Sequence, residues 1–380
     1  MKIFYWSPFL SNIATVDAVL NSINSLLKFD KKKQFDPYIV DAVGEWEQKK
    51  TKTEKIKIKK LYSKEIYSLL PKGGFLKSRL SQIIIFFVSF VRLKSLISKE
   101  TPDYFIAHLI VSLPLLLFSI FNFNTRLIIR ISGTPKLNII RKFFWKILSK
   151  KIYKITCPTI SSYKNLKNLN IFPESKLKIL YDPIISTKII HKKKYEKLNT
   201  VIEKDEFILS IGRLTKQKNF QLLIKAFFNI SKKIPKIKLI ILGEGEERGN
   251  LEKIIKDLNL EDKVFLLGYK SNVFNYLYKA KCFISSSFYE DPGFVLIEAG
   301  FLNKVVFAAD SKTGPTEILD RSNRGFLFKN NSYEDLSDKF FDYININRLE
   351  LNKKVINLKK YSKLFTYFSH FKNLKKILLD

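Results

Sequence analysis

Three loops in the second half of the chain carry residues whose types and spacing suit a phosphorylated ligand. Each follows a short apolar run and precedes a helical pattern. In the first loop, Arg213 and Lys218 flank the residues between strand and helix. Fixed guanidinium and ammonium donors beside a helix N-terminus stabilise a diphosphate. Such a pair is weak support by itself, because the whole chain is rich in lysine.

The second loop has the sequence Gly-Glu-Gly-Glu from Gly243 to Glu246. A glycine such as Gly245 lets a ligand approach the backbone closely. A plain tight turn explains the same residues, and this alternative is the more common one.

The third loop carries two carboxylates, Glu290 and Glu298, which are eight residues apart. This spacing is a little over two helical turns, so both side chains can face one cleft. Between them, Gly293 precedes a helix whose first amides, those of Phe294 and Val295, are free to meet a phosphate or a sugar. A solvated helix face is the alternative for an isolated pair of glutamates.

Strands and helices alternate along the second half, a pattern typical of a doubly wound parallel sheet. Short apolar runs predict its strands at 207–211, 237–242, 264–267, 282–285, 305–308 and 325–328. Helical patterns lie at 220–230, up to about 258, at 273–278 and at 294–301, and Gly314-Pro315 marks a turn.

The first half alternates in the same way, so the predicted fold class is α/β with two Rossmann-like domains facing a central cleft. Its predicted strands are 2–5, 38–43, 56–61, 104–107, 127–131, 152–157 and 178–180. Its predicted helices are 14–27, 80–97, 113–121, 137–148 and 161–169. Ligands of such sheets bind beyond the carboxyl ends of the strands.

The predicted domain boundaries follow from these patterns. Residues 1–190 form the first domain, the charged stretch 191–205 forms a linker, and 206–361 form the second domain. A last helix at about 362–380 is expected to pack back on the first domain.

The chain has 380 residues, is 46% hydrophobic and carries a formal net charge of +33. The charge fits nucleic acid or an anionic membrane as partner, and a compositional bias toward lysine is the third explanation. Nucleic-acid-binding motifs are missing, and acidic groups in a cleft would repel a phosphate polymer. We therefore expect no nucleic-acid partner.

The two cysteines and three histidines show no metal-ligand spacing. We therefore expect neither a disulfide framework nor a metal site. The chain start lacks the features of a signal peptide, which favours a cytoplasmic protein. The apolar stretch 104–123 has the length of a membrane span. His108 and Pro114 interrupt it, so a buried strand followed by a helix is the favoured interpretation.

Together, the three loops resemble the donor site of family 4 retaining glycosyltransferases, which have the GT-B fold. The run SSSFYEDPGFVLIEAGFLNKVVFAAD resembles the family signature of two glutamates separated by seven residues. SIGRLTKQKN resembles the diphosphate loop, and LIILGEGEERGNLE resembles the Gly-x-Gly turn. The resemblance spans residues 206–330 and its motifs occur in the family's order.

The resemblance implies roles for matching residues on the donor side. Arg213 and Lys218 would hold the diphosphate and stabilise the leaving nucleotide. Glu290 would contact the donor sugar, and Glu298 would hold the ribose. The amides of Phe294 and Val295, after Gly293, would approach the phosphate and sugar, and the loop at 270–273 would lie by the base.

The resemblance is looser in the first half. PDYFIAHL resembles a segment that would bring His108 to the acceptor side, with a core histidine as the alternative. Arg130 falls at another strand end, where the family lines its cleft. Ser7 to Ala14 contain no glycine, although many members have a Gly-Gly loop there. Asn219 replaces a usual glycine, and asparagine tolerates a left-handed backbone.

The implied function is metal-independent transfer of a sugar with retention, without a cofactor, from a nucleotide sugar. UDP is the expected nucleotide, with GDP left open. The expected acceptor is a glycan or a polyprenyl-diphosphate-linked oligosaccharide of a bacterial surface polysaccharide or lipopolysaccharide. Other sugar-nucleotide chemistry on the same fold and a non-catalytic basic binding protein are the alternatives.

A lipid-linked acceptor would explain a basic and aromatic first half in peripheral contact with anionic lipids of the inner membrane face. Lys77, Arg79, Arg92 and Lys94 around IIIFFVSF are the candidate contacts. A buried amphipathic helix is the alternative for this segment.

Overall fold

The computed structural model describes residues 1–10, 14–49, 53–63, 66–71, 73–131, 139–198, 205–311 and 314–380. These residues form two compact units. The first unit is Met1–Pro183 together with Tyr367–Asp380, and the second is Ile184–Thr366.

The first unit is built on a parallel sheet in the order β3-β2-β1-β4-β5-β6-β7. Its strands are β1 (Lys2–Trp6), β2 (Asp36–Asp41), β3 (Lys57–Lys60), β4 (Tyr104–Ala107), β5 (Arg126–Arg130), β6 (Ile152–Cys157) and β7 (Leu177–Ile179). The central strands are apolar on both faces because helices cover both faces of such a sheet. Tyr104–Ala107, for example, is buried at all four positions.

Helices connect these strands. They are α1 (Ala14–Phe29), α2 (Phe75–Glu100), α3 (Ser112–Ile120), α4 (Ile139–Leu148) and α5 (Ile160–Asn168), and the chain's last helix also belongs to this unit. Thr159 caps α5, since its side chain accepts a hydrogen bond from the amide of Ser162. Thr101, in a left-handed conformation, ends α2.

The second unit is built on a parallel sheet in the order β10-β9-β8-β11-β12-β13. Its strands are β8 (Phe207–Ile211), β9 (Lys238–Leu242), β10 (Val264–Leu266), β11 (Cys282–Ser285), β12 (Val305–Ala309) and β13 (Phe326–Phe328). Between them run α6 (Thr187–Lys193), α7 (Phe220–Lys233), α8 (Arg248–Asp257), α9 (Phe274–Lys279), α10 (Phe294–Phe301), α11 (Gly314–Leu319), α12 (Tyr333–Asn345) and α13 (Arg348–Ser362). Every predicted strand of both halves is present, with ends that differ by up to two residues.

Four helices of the second unit had no counterpart in the sequence-based prediction. They are α6, α11, α12 and α13. Helix α11 occupies the place of the predicted turn at Gly314-Pro315, because Pro315 is tolerated in the first turn of a helix. Ser332 caps the N-terminus of helix α12, because its side chain accepts a hydrogen bond from the amide of Asp335.

The structure places the boundary between the units after Pro183, not at residue 190. The amides of Ile184 and Ile185 both donate to the carbonyl of Phe365 at 3.0 Å. These bonds attach the segment after Pro183 to the second unit.

The expected linker at 191–205 is partly ordered structure of the second unit. Its first residues end α6, and Asn272 donates from its side chain to the carbonyl of Lys193 at 2.9 Å. Residues 199–204 lie outside the described residues.

The last helix, α14 (Tyr367–Leu379), packs on α1 of the first unit and begins five residues later than the expected start at 362. His370 anchors it: Nδ1 contacts the carbonyl oxygen of Tyr181 at 2.7 Å, and Nε2 contacts Ser22 Oγ at 2.8 Å. The ring nitrogen facing a carbonyl must donate, so Ser22 donates to Nε2. Burial lowers the pKa of His370 to about 4, which keeps this ring neutral.

The apolar stretch 104–123 forms β4 and α3, as the favoured interpretation predicts. Within the described residues, one helix is long and apolar enough by length and composition to cross a membrane, and it is α2. One face of α2 packs in the core of the first unit through Ile85, Leu93 and Ile97. The opposite face carries exposed apolar residues, so the segment is only in part the buried amphipathic helix considered as an alternative.

Candidate functional site

The strand order of the second sheet reverses between β8 and β11. Loops that leave these two strands at their carboxyl ends turn in different directions and open a crevice between them, where ligands of such sheets bind. The loop 212–219 follows β8, and the loop 286–293 follows β11. The predicted donor residues therefore lie at the switch point of the second sheet.

The loops after β8 and β9 touch through their backbones. The amide of Leu214 donates to the carbonyl of Glu244 at 2.9 Å, and the amide of Glu247 donates back to the carbonyl of Leu214 at 2.9 Å. A Cβ atom on Gly245 would lie 2.3 Å from the Leu214 carbonyl oxygen, and one on Gly243 would lie 1.8 Å from that of Gly212. Both glycines are thus required by the contact between the loops, and a ligand contact of Gly245 stays a prediction.

Lys218 and Glu290 meet directly across the crevice. The Lys218 ammonium forms an ion pair with Oε2 of Glu290, which also accepts a hydrogen bond from Ser287 Oγ at 3.0 Å. The two side chains remain 20% and 19% exposed. A lysine that is held but still reached by water is able to exchange its carboxylate partner for a phosphate.

Three further contacts hold the loops after β8 and β11 together. Ser286 Oγ donates to the carbonyl of Lys218 at 2.8 Å. Gln217 donates from its side chain to the carbonyl of Tyr289 at 2.8 Å, and its own carbonyl accepts from the amide of Phe288 at 2.9 Å. Our sequence reasoning assigned no role to these residues. The serine run before Glu290 was the available signal, because serine hydroxyls commonly bond to loop backbone.

Arg213 and Asn219 begin and end the first loop. Arg213 is exposed beside the buried Leu214, and among the described residues its guanidinium pairs with no carboxylate. Asn219 has φ 50° and ψ 43°, the left-handed conformation that glycine usually supplies. The expectation that asparagine is tolerated here is confirmed.

Helix α10 begins in the crevice at Phe294. Gly293 precedes it with φ 90°, and no side chain caps the helix at this residue. The first amides of a helix have no partner inside the helix, so those of Phe294 and Val295 point out of its N-terminus. This end of α10 can receive a negatively charged group.

Glu298 lies in the second turn of α10, with a partly buried side chain. Burial raises the pKa of its carboxyl group to about 7. The group therefore changes between a hydrogen-bond donor and a pure acceptor near neutral pH.

Two other loops complete this edge of the second sheet. Gly314 packs on the third loop so closely that a Cβ atom there would lie 2.0 Å from the Pro292 carbonyl oxygen. The predicted base-side loop at 270–273 precedes α9, where Asn272 Oδ1 accepts from the amide of Phe274 at 3.0 Å. Residues 312 and 313, just before Gly314, lie outside the described residues.

His108 follows β4 in the first unit, where the strand order reverses between β1 and β4. Its amide donates to the carbonyl of Trp6 at 2.9 Å, while its Nδ1 is buried without a hydrogen-bond partner among the described residues. Burial, and then the charge of Arg130, hold the pKa of His108 well below its usual range. This imidazole is neutral at pH 7.

Arg130 and Asp182 form a buried ion pair in the same unit. Arg130 Nε donates to Asp182 Oδ1 at 3.0 Å, and Nη2 donates to Oδ2. The third nitrogen, Nη1, is buried without a partner among the described residues, beside the small cavity that His108 also lines. Sequence reasoning found Arg130 but missed Asp182, although the Asp-Pro pair at the end of the first unit was visible.

The structure thus brings the predicted residues together in two groups. At the carboxyl edge of the second sheet, the loops after β8, β9 and β11 and the helix α10 hold Arg213, Lys218, Gly245, Glu290, Gly293, Phe294, Val295 and Glu298. His108 belongs to the first unit. In the segment 7–14, where many members of the resembled family have a Gly-Gly pair, residues 11–13 lie outside the described residues. No group of three or more His, Cys, Asp or Glu side chains that could hold a metal ion occurs within the described part of the chain.

Comparison with known families gives a match over most of the second unit. Residues 191–363 match the family described as glycosyl transferases group 1. The predicted resemblance is confirmed by this match.

Individual relatives also match in sequence. The chain is 40% identical over 165 residues to an uncharacterized glycosyltransferase of Methanocaldococcus jannaschii, covering 42% of this chain and 38% of that protein. It is 35% identical over 221 residues to a Campylobacter jejuni N-acetylgalactosamine-N,N'-diacetylbacillosaminyl-diphospho-undecaprenol 4-alpha-N-acetylgalactosaminyltransferase, covering 56% and 58%. The matched region thus spans about half the length of these relatives or less.

Solved structures agree in fold. The Anabaena protein HepE, in complex with UDP and glucose, superposes with a TM-score of 0.68 at 14% identity, covering 100% of both chains. The predicted α/β fold class, GT-B with two Rossmann-like domains, is confirmed.

Replacing Gly245 tests whether the loop contact requires glycine. Gly245→Ala should lower the free energy of unfolding by about 2–4 kcal/mol, because the new Cβ overlaps backbone atoms that cannot turn away. Gly249→Ala is the matched control, since nothing lies within 4 Å of a Cβ atom there. This control in α8 should be neutral or stabilising by up to about 1 kcal/mol. Urea unfolding measures both, and equal stability of the two variants would refute the packing argument.

The raised pKa of Glu298 predicts a pH-dependent stability. An unfolded glutamate loses its proton near pH 4.5, whereas the folded one keeps it to about pH 7. The folded state therefore binds more protons in this window, and stability falls as the pH rises from 5 to 8. The Glu298→Gln variant lacks this titrating proton. Between pH 5 and 8, its free energy of unfolding should therefore fall by about 1–3 kcal/mol less than that of the wild type. Urea unfolding at both pH values measures the difference, and parallel losses would show that the carboxyl group titrates normally.

Proposed function

We propose that this chain is a glycosyltransferase that acts with retention, because its residues 191–363 match the family described as glycosyl transferases group 1. It moves a sugar from a nucleotide sugar to a glycan or lipid-linked oligosaccharide in the biosynthesis of a bacterial surface polysaccharide. One observation carries the proposal most directly. Two cations, two carboxylates and an uncapped helix N-terminus lie at the switch point of one parallel sheet, on the loops after β8 and β11 and on helix α10.

These residues divide the work on the donor. Arg213 and Lys218 bind the diphosphate, and Lys218 exchanges its bond with Glu290 for a phosphate oxygen. Glu290 then turns its carboxylate to the sugar hydroxyls, still held by Ser287. Glu298, once ionised, accepts hydrogen bonds from the two ribose hydroxyls.

The reaction needs no covalent enzyme intermediate. The acceptor hydroxyl attacks the anomeric carbon from the side of the leaving group, and its oxygen forms the new glycosidic bond. The bond from the anomeric carbon to the diphosphate breaks, with its electron pair going to the phosphate oxygen, which takes the acceptor's proton. Arg213, Lys218 and the α10 amides stabilise the negative charge that develops there. In this proposal they take the place of a metal ion, and no cofactor takes part.

The relatives support the choice of substrates. The Anabaena structure holds UDP and glucose, which supports a uridine nucleotide as donor. The Campylobacter relative is named for a diphospho-undecaprenol acceptor, and a Staphylococcus aureus relative for poly(ribitol-phosphate). We take the lipid-linked acceptor as the proposal, because α2 exposes an apolar face beside basic residues.

A lipid-linked acceptor places the protein in peripheral contact with the cytoplasmic face of the membrane. Four basic residues of α2 were predicted to make this contact. In the structure, Arg92 donates to the carbonyl of Leu61 at 2.9 Å and lies over the ring of Tyr62, and Lys94 lies over the ring of Phe121. Lys77 and Arg79 are exposed, and they are the proposed contacts with anionic headgroups.

The donor site is tested by removing one exposed cation. Arg213→Ala should weaken UDP binding and lower the release of UDP from its cognate UDP-sugar by about 100-fold or more, because one fixed donor to the leaving group is lost. Glu298→Ala should also abolish turnover. The assay screens UDP-glucose, UDP-galactose and their N-acetyl forms in EDTA, and calorimetry measures UDP affinity.

Lys216→Ala is the matched control for Arg213, since Lys216 is an exposed cation of the same loop. It should retain turnover within about three-fold, because it lies outside the proposed set of phosphate contacts. Arg213→Ala and Lys216→Ala should unfold at the wild-type temperature. Wild-type turnover in Arg213→Ala and Glu298→Ala would refute the donor site, and dependence on an added metal would refute the proposed chemistry.

Membrane contact is tested by flotation with vesicles. Wild-type protein should float with phosphatidylglycerol vesicles and much less with phosphatidylcholine vesicles, and high salt should weaken the binding. Leu76→Asp should reduce flotation, because it puts a charge on an apolar residue that is 81% exposed on α2. Leu349→Asp, at a leucine 79% exposed on α13, is the control and should float normally. Equal flotation of both variants would rule out α2 as the contact.

A further inference from the structure

Helix α2 presents an apolar stripe to solvent. Its residues are Leu76, Leu80, Ile83, Phe87 and Val91, which are 81%, 50%, 53%, 70% and 70% exposed. Spacings of three and four residues place them along one side of the helix. Single exposed apolar residues are ordinary, but a continuous stripe marks a surface that meets something apolar.

A groove lies beside this stripe in the first unit. Its volume is about 600 Å³, within the range of roughly 300–1,000 Å³ typical of small-molecule sites. The loop after β1 forms one wall through Pro8, Phe9 and Leu10, and Leu109 and Ile110 after β4 form another. On the helix side the groove is lined by Ser78, Arg79, Gln82, Ile83, Phe86 and Phe87.

The groove connects the stripe with the carboxyl edge of the first sheet. Ile83 and Phe87 belong to both the stripe and the groove lining. The opposite walls come from the loops that follow β1 and β4, the two strands at which the order of this sheet reverses. Ligands of such sheets bind in this place. A chain that enters along α2 would therefore be led to the substrate end of the sheet.

The charges along α2 have one sign over most of its length. From Phe75 to Lys99 the helix carries five cations and no acidic residue, and Glu100 at its end is paired with Lys2 and Lys59. Arg92 and Lys94 are engaged by aromatic rings. Arg79 lines the groove, and Lys77 is exposed two residues before it. An apolar groove with cations at one end is complementary to a hydrocarbon chain with an anionic head.

The groove wall at Ile110 is held in an unusual conformation. Ile110 has φ 47°, in the left-handed region that β-branched residues rarely adopt. The indole nitrogen of Trp6 donates to its carbonyl oxygen at 3.3 Å and fixes this turn. Such conformations occur where the surrounding structure must hold a wall or a ligand contact in place.

We propose that this groove binds the isoprenoid chain of a polyprenyl-diphosphate-linked acceptor, with Arg79 and Lys77 next to the diphosphate. The inference rests on the proposed function, which supplies the lipid-linked acceptor. It goes beyond general membrane contact, because it assigns the side chains of the groove to the isoprenoid chain of the acceptor. Bulk lipid then meets the outer part of the stripe, at Leu76 and Leu80.

The test uses a soluble probe in the absence of membranes. Farnesyl diphosphate combines an isoprenoid chain with a diphosphate, and its binding to the full chain is measured by calorimetry and by tryptophan fluorescence, since Trp6 adjoins the groove. Farnesyl diphosphate should bind at least about ten-fold more tightly than inorganic pyrophosphate, because only the former fills the apolar groove. Myristoyl lysophosphatidic acid, a phosphate with an acyl chain, should bind more weakly.

Variants locate the binding. Ile83→Gln and Phe87→Gln should weaken farnesyl diphosphate about ten-fold, Arg79→Ala should weaken it as well, and Ile83→Leu should retain wild-type affinity. Leu76→Gln, on the same stripe but outside the groove, should bind the probe normally. Each variant is checked for UDP affinity and unfolding temperature.

The outcomes separate this inference from the proposed function. Normal UDP binding with no farnesyl diphosphate binding, or equal affinity for pyrophosphate, would overturn the groove assignment alone. Equal weakening by Leu76→Gln and Ile83→Gln would show adsorption to the stripe, and preference for the acyl lipid would show a phospholipid site. If the wild-type protein does not bind UDP, the proposed function itself is refuted.

Discussion

The close approach of two backbones after β8 and β9 is the constraint on which the candidate site depends. The carbonyl groups of Gly212 and Leu214 occupy the space where side chains of Gly243 and Gly245 would be. Leu214 is fully buried between the loops, and this fixes the direction in which the chain continues toward Lys218. Glycine is therefore needed here for packing between protein segments, before any ligand is considered.

The electrostatic design of the second unit follows from that placement. Lys218, brought to the switch point, is neutralised by Glu290, which Ser287 holds in place. The pair lowers the cost of keeping a cation and a carboxylate partly out of water while no ligand is bound. The cations of this loop also differ in setting: Arg213 is exposed, whereas Lys218 is held by its partner.

The first unit uses its polar groups in a different way. Arg130 of β5 pairs with the buried Asp182, and His370 of α14 contacts the carbonyl of the neighbouring Tyr181. These contacts hold the segment that leaves this unit against β5 and α14. The same unit leaves an apolar face of α2 exposed, at a cost in solubility that a purely structural helix need not carry. This exposed apolar face indicates that the unit's outer surface has a function.

Local patterns in the sequence determined the strands, their parallel arrangement and the three donor loops. A buried parallel strand is a short apolar run whatever lies around it, so segments such as 152–157 and 282–285 were found with their exact ends. Asn219, at a position where the resembled family has a glycine, was expected to tolerate a left-handed backbone, and it adopts one. The motif spacing then indicated the family.

Only the tertiary structure decided which side chains meet and which faces remain open. Glu290 is 72 residues from Lys218, and Asp182 is 52 residues from Arg130, so no local pattern could pair them. Helix α13 has polar and apolar residues with little periodicity, and its buried positions are set by its contact with α10. The exposure of α2 is likewise a property of what packs on it, because the same apolar sequence suits a core helix. Pairing and burial depend on partners distant in the chain, whereas strand formation depends mainly on neighbours.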